Sequence, residues 1–166
     1  MDRNEAKQRE LRRASASDDP FEQFDLWFNE AKEEIPVLPE GATLGTCGAD
    51  GQPQARVVLL KEFDERGFVF FTNYDSAKGR EIAENDRVVL NFWWGPLERQ
   101  VRIVGPVEKV SSEESQTYFR TRPRGSQIGA WASEQSASVE SREVLEERAR
   151  ELEERYEDEE IPCPPH

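Results

Sequence analysis

The spacing of apolar residues changes near residue 40, from a helical period to a strand period. Asp19-Pro20 has the signature of a helix start, with an aspartate cap followed by proline at the first helical position. Apolar residues then recur at steps of three and four, at Phe21, Phe24, Phe28 and Ala31. This spacing predicts an amphipathic helix that ends at the proline-rich segment 35–39.

Past residue 40, short apolar runs alternate with turn residues, a pattern typical of strands. It predicts strands at 42–48, 54–63, 68–72, 87–94 and 98–110. The run 68–72 is continuously apolar, which predicts burial on both faces. Capping residues predict helices at 77–84 and from Ser111 to about residue 120, and a charged pattern predicts a long helix at 139–158. Strands joined mostly by turns predict a mainly β fold, an antiparallel barrel of Greek-key type with peripheral helices.

Length and composition restrict the class of protein. The 166 residues suit one core, and we predict a flexible N-terminal arm at 1–18 followed by a single domain at 19–166. No apolar run is long enough to span a membrane, and the N-terminus lacks the apolar core of a signal peptide. Cys47 and Cys163 fit no metal-binding or redox spacing. We therefore expect a cytoplasmic protein with no metal site and no membrane partner.

The net charge is strongly negative. The chain carries 35 acidic and 22 basic residues, which gives a formal net charge of −13. Such a charge disfavours a nucleic acid partner, because phosphate backbones require a basic face. Two interpretations of the acid excess stay open: adaptation to high salt, which screens self-repulsion, or an ordinary acidic protein with one very acidic helix at 140–160.

Histidine chemistry is not expected inside the domain. The only histidine in the sequence is His166, at its end, so no Ser-His-Asp or Cys-His arrangement is expected within the fold. If the protein is an enzyme, a bound cofactor is expected to carry the difficult chemistry. No side chain is a convincing general base, and the catalytic residues stay unassigned.

The segment 120–131 concentrates positive charge in this acidic chain. Arg120, Arg122 and Arg124 lie within five residues, followed by Gly125 and Ser126. Guanidinium groups match phosphate oxygens in pairs, so one interpretation is a pocket for a small phosphorylated ligand. The other is a solvated loop whose arginines pair with the abundant carboxylates.

Two further segments place cations near apolar strands. Arg56 and Lys61 are five residues apart, which puts them on opposite faces of a regular strand. They either act together at an interface or serve as edge charges that limit aggregation. Ser76 and Lys78 stand where a helix is expected to begin, which suits phosphate binding by free backbone N–H groups or simple serine capping.

Six strings in order resemble the pyridoxine/pyridoxamine 5′-phosphate oxidase family. They are Arg56-Val-Val-Leu-Leu-Lys61, Phe70-Phe-Thr-Asn73, Leu97-Glu-Arg-Gln-Val101, Tyr118-Phe-Arg-Thr-Arg-Pro-Arg124, Ser126-Gln-Ile-Gly-Ala-Trp131 and Gln135-Ser136. The resemblance implies an FMN-binding split barrel and a homodimer with flavin at the subunit interface. It also implies oxidation of the phosphorylated B6 vitamers to pyridoxal 5′-phosphate, with molecular oxygen as acceptor and hydrogen peroxide as by-product. A non-catalytic FMN or B6-phosphate binding protein of the same fold is the alternative.

The resemblance also assigns residues. FMN contacts are implied for Arg56, Val57, Val58, Leu59, Leu60, Lys61, Phe71, Thr72, Lys78 and Gln100, with Gln135 and Ser136 contributing from the other subunit. Substrate contacts are implied for Lys61, Tyr118, Arg122 and Ser126, the last three at the substrate phosphate. Arg120 and Arg124 are expected to be supporting charges.

Two positions depart from the family pattern. Ala77 stands where members often have an arginine that contacts the FMN phosphate, a role that Arg80 could take from the next helical turn. Family members also continue, beyond the point that corresponds to His166, with a Trp-Gly-Gly segment and an Arg-x-His motif, and the sequence contains neither. The resemblance therefore implies a chain without the family's C-terminal segment.

Overall fold

The structure is a computed structural model that describes residues 11–166. Residues 1–10 of the predicted N-terminal arm lie outside the described residues. The helices are α1 (Pro20–Glu34), α2 (Ala77–Glu84), α3 (Ser112–Thr121), α4 (Arg124–Ala132) and α5 (Arg142–Arg155). The strands are β1 (Gly41–Cys47), β2 (Pro53–Leu59), β3 (Glu62–Asp64), β4 (Gly67–Val69), β5 (Arg87–Trp94) and β6 (Arg99–Pro106).

The helix starts follow the capping residues that the sequence contains. The Asp19 side chain accepts a hydrogen bond from the Phe21 N–H at the start of α1. Ser111 and Glu114 form a complete capping box at the start of α3. Each cap satisfies backbone donors that have no partner in the first turn. The predicted starts of these two helices are confirmed.

Four strands form one sheet in the order β2-β1-β5-β6, and β3 and β4 form a separate antiparallel hairpin. Strand β1 runs antiparallel to β5, with Leu44 opposite Leu90. The alternation of side chains buries one face, where Leu44 and Phe92 are fully buried, and leaves Trp93 on the other face 63% exposed. The sheet does not close on itself, and the predicted antiparallel fold with peripheral helices is confirmed.

The chain divides into two compact units. The first consists of Met1–Gly45, as far as it is described, with Ala55–Phe70 and Val89–Val104. The second consists of Thr46–Gln54, Phe71–Val88 and Gly105–His166. The single domain at 19–166 stays a prediction. Within residues 11–166, no helix has the length and apolar character needed to cross a bilayer.

Aromatic rings form the core of the first unit. Phe24 of α1 is the central ring, and five other ring centroids lie 4.9 to 5.9 Å from its own: Phe28, Phe63, Phe68, Phe92 and Trp94. Most of these contacts are edge-to-face, the arrangement that the ring quadrupole favours. The Trp94 indole N–H donates to the Pro39 carbonyl at 2.8 Å, so this buried ring leaves no donor unsatisfied.

A partly buried ion pair links α1 to the start of β6 in the same unit. The Arg99 guanidinium lies 3.3 Å from a Glu30 carboxylate oxygen and 4.4 Å from the centre of the Trp27 ring. The Arg99 side chain is 11% exposed. Its Nε has no hydrogen-bond partner within the described part of the chain. Glu30 is thus the carboxylate that compensates a charge largely removed from water.

The core of the second unit is smaller and lies among the last three helices. Phe119 of α3, Ile128 of α4, Tyr156 and Ile161 form a buried cluster, with Ile161 only 1% exposed. The segment after α5 therefore packs against the pair α3–α4. This packing fixes the short turn between α3 and α4, which carries Arg122.

Two predicted strands differ from the observed ones because backbone hydrogen bonds change partner. The predicted strand 54–63 stops at Leu59, since Leu60 N–H donates to the Glu40 carbonyl and Lys61 N–H to that of Val69. The strand predicted at 98–110 ends at Pro106, and it starts only after a 3₁₀ turn, Gly95–Leu97, with Glu98 in the left-handed region at φ 53°.

The burial predicted for 68–72 is wrong. Strand β4 has three residues, and Phe68 to Thr72 are only half-buried. The apolar run is explained by ring contacts instead, because Phe68 stacks on Phe21 and Phe63 at 5.6 and 5.9 Å. The loop interpretation of 120–131 is also wrong, since residues from Arg124 onward form α4.

Candidate functional site

Ser76 organises the N-terminus of α2 in the second unit. Its side chain is completely buried, donates to the Asn73 carbonyl at 2.6 Å and accepts from Gly79 N–H at 3.3 Å. A Cβ on Gly79 would lie 2.0 Å from the Tyr74 carbonyl oxygen, so only glycine permits this close crossing of loop and helix. The sequence thereby fixes the direction of the first turn of α2.

Lys78 and Gln135 of the same chain come together at this helix start, 57 positions apart in the sequence, whereas the resemblance assigned Gln135 to the other subunit. The Lys78 ammonium lies 2.5 Å from Gln135 Oε1 and 3.0 Å from Ser76 Oγ. Ser136 has a φ of 71°, a strained conformation for a residue with a side chain. Ammonium, amide and hydroxyl groups beside a helix N-terminus form a donor set that suits a phosphate group. The residues present therefore fit the phosphate of FMN.

The implied flavin contact Phe71 touches the implied substrate contact Tyr118. Their ring centroids are 3.9 Å apart and the ring planes are nearly parallel, at 4°. Both side chains are half-buried, and so is Thr72 beside them. The stack brings together two residues to which the resemblance assigns different ligands.

Arg122 lies in the turn between α3 and α4, and Ser126 lies in the first turn of α4. Arg122 ends α3 in an extended conformation, and Pro123 precedes the first residue of α4. No side chain caps the N-terminus of α4. The Gln127 amide nitrogen lies 3.0 Å from the Phe119 carbonyl and 3.1 Å from that of Arg122, which holds the turn closed. The result is a nine-residue helix whose uncapped start carries a guanidinium and a hydroxyl.

The other two arginines of this segment bind the chain itself. Arg120 pairs with Glu160 at 2.5 Å. The Arg124 guanidinium donates to the carbonyls of Tyr156 and Glu159. Pairing with carboxylates therefore describes Arg120, while backbone carbonyls are the acceptors for Arg124. The sequence contained no signal for the second interaction.

The Cys163 thiol interacts electrostatically with Arg122. Burial raises the pKa of the Cys163 thiol, and the Arg122 charge opposes that rise. The thiol is half-buried against the Phe119–Ile161 cluster.

The implied flavin strand lies in the first unit. Val58 and Leu60 are buried, Arg56 and Leu59 are half-buried, Lys61 is exposed and Val57 is 64% exposed. Because β2 ends at Leu59, the regular alternation that opposed Arg56 to Lys61 stops before Lys61.

Gln100 is also in the first unit, on β6. Its amide donates to Asn91 Oδ1 at 2.7 Å across to β5. Asn91 was not predicted as part of the site. A single amide inside the otherwise apolar strand 88–94 is the signal that could have found it.

Sequence comparison identifies close relatives. The pyridoxamine 5′-phosphate oxidase family model matches residues 28–156. A pyridoxine/pyridoxamine 5′-phosphate oxidase of Gloeothece citriformis is 56% identical over 94% of this chain and 73% of its own length. The enzyme of that name from Burkholderia multivorans is 58% identical over 94% of this chain and 72% of its own length.

Structural comparison agrees. PhzG from Burkholderia lata, solved with tetrahydrophenazine-1-carboxylic acid, has a TM-score of 0.86 and 26% identity over 94% of this chain and 77% of its own. An FMN-binding protein related to pyridoxamine 5′-phosphate oxidase, from Nostoc punctiforme, shares the fold with a TM-score of 0.62 and 15% identity over 78% of this chain and 72% of its own. The chain belongs to the pyridoxamine 5′-phosphate oxidase family.

Proposed function

We propose that this protein oxidises pyridoxamine 5′-phosphate and pyridoxine 5′-phosphate to pyridoxal 5′-phosphate with FMN as cofactor. Molecular oxygen is the electron acceptor and hydrogen peroxide the by-product. The supporting observation is that a chain with net charge −13 builds two phosphate-suited helix starts, at Lys78 and at Arg122. One site suits a cofactor phosphate and the other a substrate phosphate. The identity to two enzymes of that name supports the same assignment.

Each group of residues has a separate task in this proposal. Lys78 binds the FMN phosphate at the start of α2. The resemblance implies further FMN contacts at residues 56–61, Phe71, Thr72 and Gln100, and contacts from Gln135 and Ser136 of the other subunit. FMN, when bound, supplies the hydride acceptor for the C4′ carbon of the substrate and a route for electrons to oxygen. Arg122 and Ser126 bind the substrate phosphate.

The Phe71–Tyr118 stack orients the substrate. Tyr118 cannot tilt toward Phe71 without losing a flat ring contact at 3.9 Å. Orientation of the reacting carbon is the main catalytic contribution expected from the chain, since no general base is assigned.

A homodimer is part of the proposal. Three apolar side chains on the sheet strands of the first unit are largely exposed: Val57 at 64%, Trp93 at 63% and Val104 at 70%. Exposed apolar side chains on strands of one sheet favour association, and a second copy of this chain is the partner that the resemblance implies.

The test uses protein reconstituted with FMN and assayed for hydrogen peroxide with pyridoxamine 5′-phosphate and pyridoxine 5′-phosphate. Unphosphorylated pyridoxamine is the matched control, and tetrahydrophenazine-1-carboxylic acid tests the reaction suggested by the likeness to PhzG. We expect turnover of the phosphorylated vitamers only. FMN binding without turnover of any substrate would instead support a non-catalytic binding protein.

Arg122 gives the residue-level test. In Arg122→Ala, we expect the KM for the phosphorylated substrate to rise about tenfold or more, because a charge-assisted hydrogen bond contributes roughly 1.5–3 kcal/mol and arginine can make two. The FMN content should not change. An unchanged KM would remove Arg122 from the substrate site.

A further inference from the structure

The segment that follows α5 is fastened to the two helices that flank Arg122. Tyr156 and Ile161 are buried in one cluster with Phe119 and Ile128. The Trp131 indole N–H on α4 donates to the Pro162 carbonyl at 2.8 Å. Segment 156–162 is therefore part of the support beneath the α3–α4 turn.

Arg124 makes the polar connection between that segment and the start of α4. It is the first residue of α4, and its guanidinium reaches the carbonyls of Tyr156 and Glu159, the latter at 3.4 Å. Tyr156 is the cap at the C-terminal end of α5, where carbonyls lack helical donors and a cation is favoured. One side chain thus satisfies carbonyls at the end of one helix and fixes the beginning of another.

Arg120, which is exposed as Arg124 is, connects to a side chain and not to helix-end carbonyls. It meets Glu160 at 2.5 Å, but the two side chains are 60% and 66% exposed. Such exposed pairs contribute little, because water and salt screen them. The two arginines carry the same charge in the same segment, but Arg120 binds a carboxylate and Arg124 binds backbone carbonyls.

We infer that Arg124 is a positioning residue, which fixes the uncapped start of α4 so that Arg122 and Ser126 face one phosphate group. This rests on the proposed function, in which that phosphate belongs to the substrate. Without the guanidinium, the first turn of α4 loses its attachment to segment 156–162. Arg122 and Ser126 then no longer hold a fixed separation, and the affinity gained from the ligand phosphate falls.

The experiment measures that affinity directly. The probes are 4-deoxypyridoxine 5′-phosphate, which lacks the oxidisable group, and 4-deoxypyridoxine, which also lacks the phosphate. Calorimetry on the FMN-loaded protein gives both dissociation constants. The dissociation constant of 4-deoxypyridoxine divided by that of 4-deoxypyridoxine 5′-phosphate reports the contribution of the phosphate. The variants are Arg124→Met, Arg124→Lys, Arg122→Met and the charge-matched control Arg120→Met.

We expect the ratio to fall about five- to tenfold in Arg124→Met and by less than about twofold in Arg120→Met, since only the former loses bonds to helix-end carbonyls. Arg124→Lys should lie between wild type and Arg124→Met, because an ammonium can reach one carbonyl. In Arg122→Met, most of the phosphate's contribution to affinity should be lost, so the ratio should fall furthest in this variant. The dissociation constant of FMN should not change in any of the four.

Three outcomes would overturn the inference. Equal ratios in Arg124→Met and Arg120→Met would leave only a general charge effect. A parallel loss of FMN affinity would show damage to the scaffold, and Arg124→Lys decides the question if Arg124→Met does not fold. Absence of phosphate-dependent binding in the wild type would refute the proposed substrate as well, whereas normal wild-type binding with an unaffected Arg124→Met refutes the positioning role alone.

Discussion

Lys78 is the residue whose charge best distinguishes a cofactor site from an ordinary helix cap. Ser76 alone completes the cap of α2, so the ammonium beside Gln135 is not needed for capping. We expect Lys78→Met to weaken FMN binding by about tenfold or more, since a charge-assisted hydrogen bond to phosphate is lost. Quenching of flavin fluorescence measures this dissociation constant.

Lys109→Met is the control for that experiment. Lys109 lies in the same unit, with its ammonium 4.2 Å above the Tyr74 ring, and has no assigned contact to FMN. Its removal lowers the positive charge by the same amount. An equal loss of FMN affinity in the two variants would mean that Lys78 acts only through its general positive charge.

The pH at which the Cys163 thiol reacts should depend on Arg122. Burial raises the pKa of this thiol and the Arg122 charge lowers it, so alkylation by iodoacetamide should begin at higher pH than in the unfolded chain. In Arg122→Ala, the onset should move further upward. Because the folded pKa exceeds the unfolded one, the stabilisation from this group is complete below the unfolded pKa and is lost as pH rises through the folded pKa. An onset unaffected by Arg122→Ala would contradict this electrostatic interaction.

At the scale of elements, two helical glycines give opposite predictions. In Gly79→Ala, the new methyl group would lie 2.0 Å from the Tyr74 carbonyl oxygen, so α2 must move or its loop must open. We expect a loss of more than about 3 kcal/mol in the free energy of unfolding, together with weaker FMN binding. Denaturant titration measures the first quantity.

Gly129→Ala is the matched control on α4. Apart from its chain neighbours and the backbone of α4 itself, no atom of the described residues lies within 4 Å of a Cβ at that position, so alanine should stabilise the helix by up to about 1 kcal/mol. Destabilisation of similar size in both variants would show that steric contact is not the cause.

The sequence predicted the elements that local signals specify. Asp19-Pro20, Ser76 and the Ser111/Glu114 pair located helix starts because a cap acts within one turn. The end of β2 could not be located this way, since the Leu60 N–H finds its acceptor 20 residues away at Glu40. Helix α4 was not predicted, because its start is held by contacts from distant segments rather than by a local cap.

The candidate site was predictable in its residues and not in its contacts. The resemblance named Lys78, Gln135, Phe71 and Tyr118, but no spacing indicates that a lysine and a glutamine 57 residues apart will meet. The division of roles among the three arginines likewise depends on where segment 156–162 packs.

At the scale of the whole molecule, the exposed apolar residues of β2, β5 and β6 predict self-association. Trp93→Glu places a charge on this apolar surface and should shift the protein to monomer at micromolar concentration, as measured by sedimentation. Val37→Glu is the control, because Val37 is 71% exposed but lies outside the strands. A dimer that survives Trp93→Glu unchanged would place the interface elsewhere.

Salt should strengthen the dimer. Two copies with a net charge of −13 each repel one another, and salt screens that repulsion. Dimer dissociation should therefore decrease as sodium chloride is raised from low concentration. Weaker association at high salt would mean that attractive ion pairs dominate the interface.

The partly buried pair of Glu30 and Arg99 constrains how this sequence can evolve. Losing Glu30 leaves the Arg99 guanidinium, only 11% exposed, without this carboxylate beside the Trp27 ring, at a cost of up to about 3–5 kcal/mol, whereas an apolar pair of similar volume can be neutral. A lineage that loses Glu30 first therefore passes through a less stable protein unless Arg99 changes with it. Positions 30 and 99 should change together among descendants of this sequence, although they are 69 positions apart.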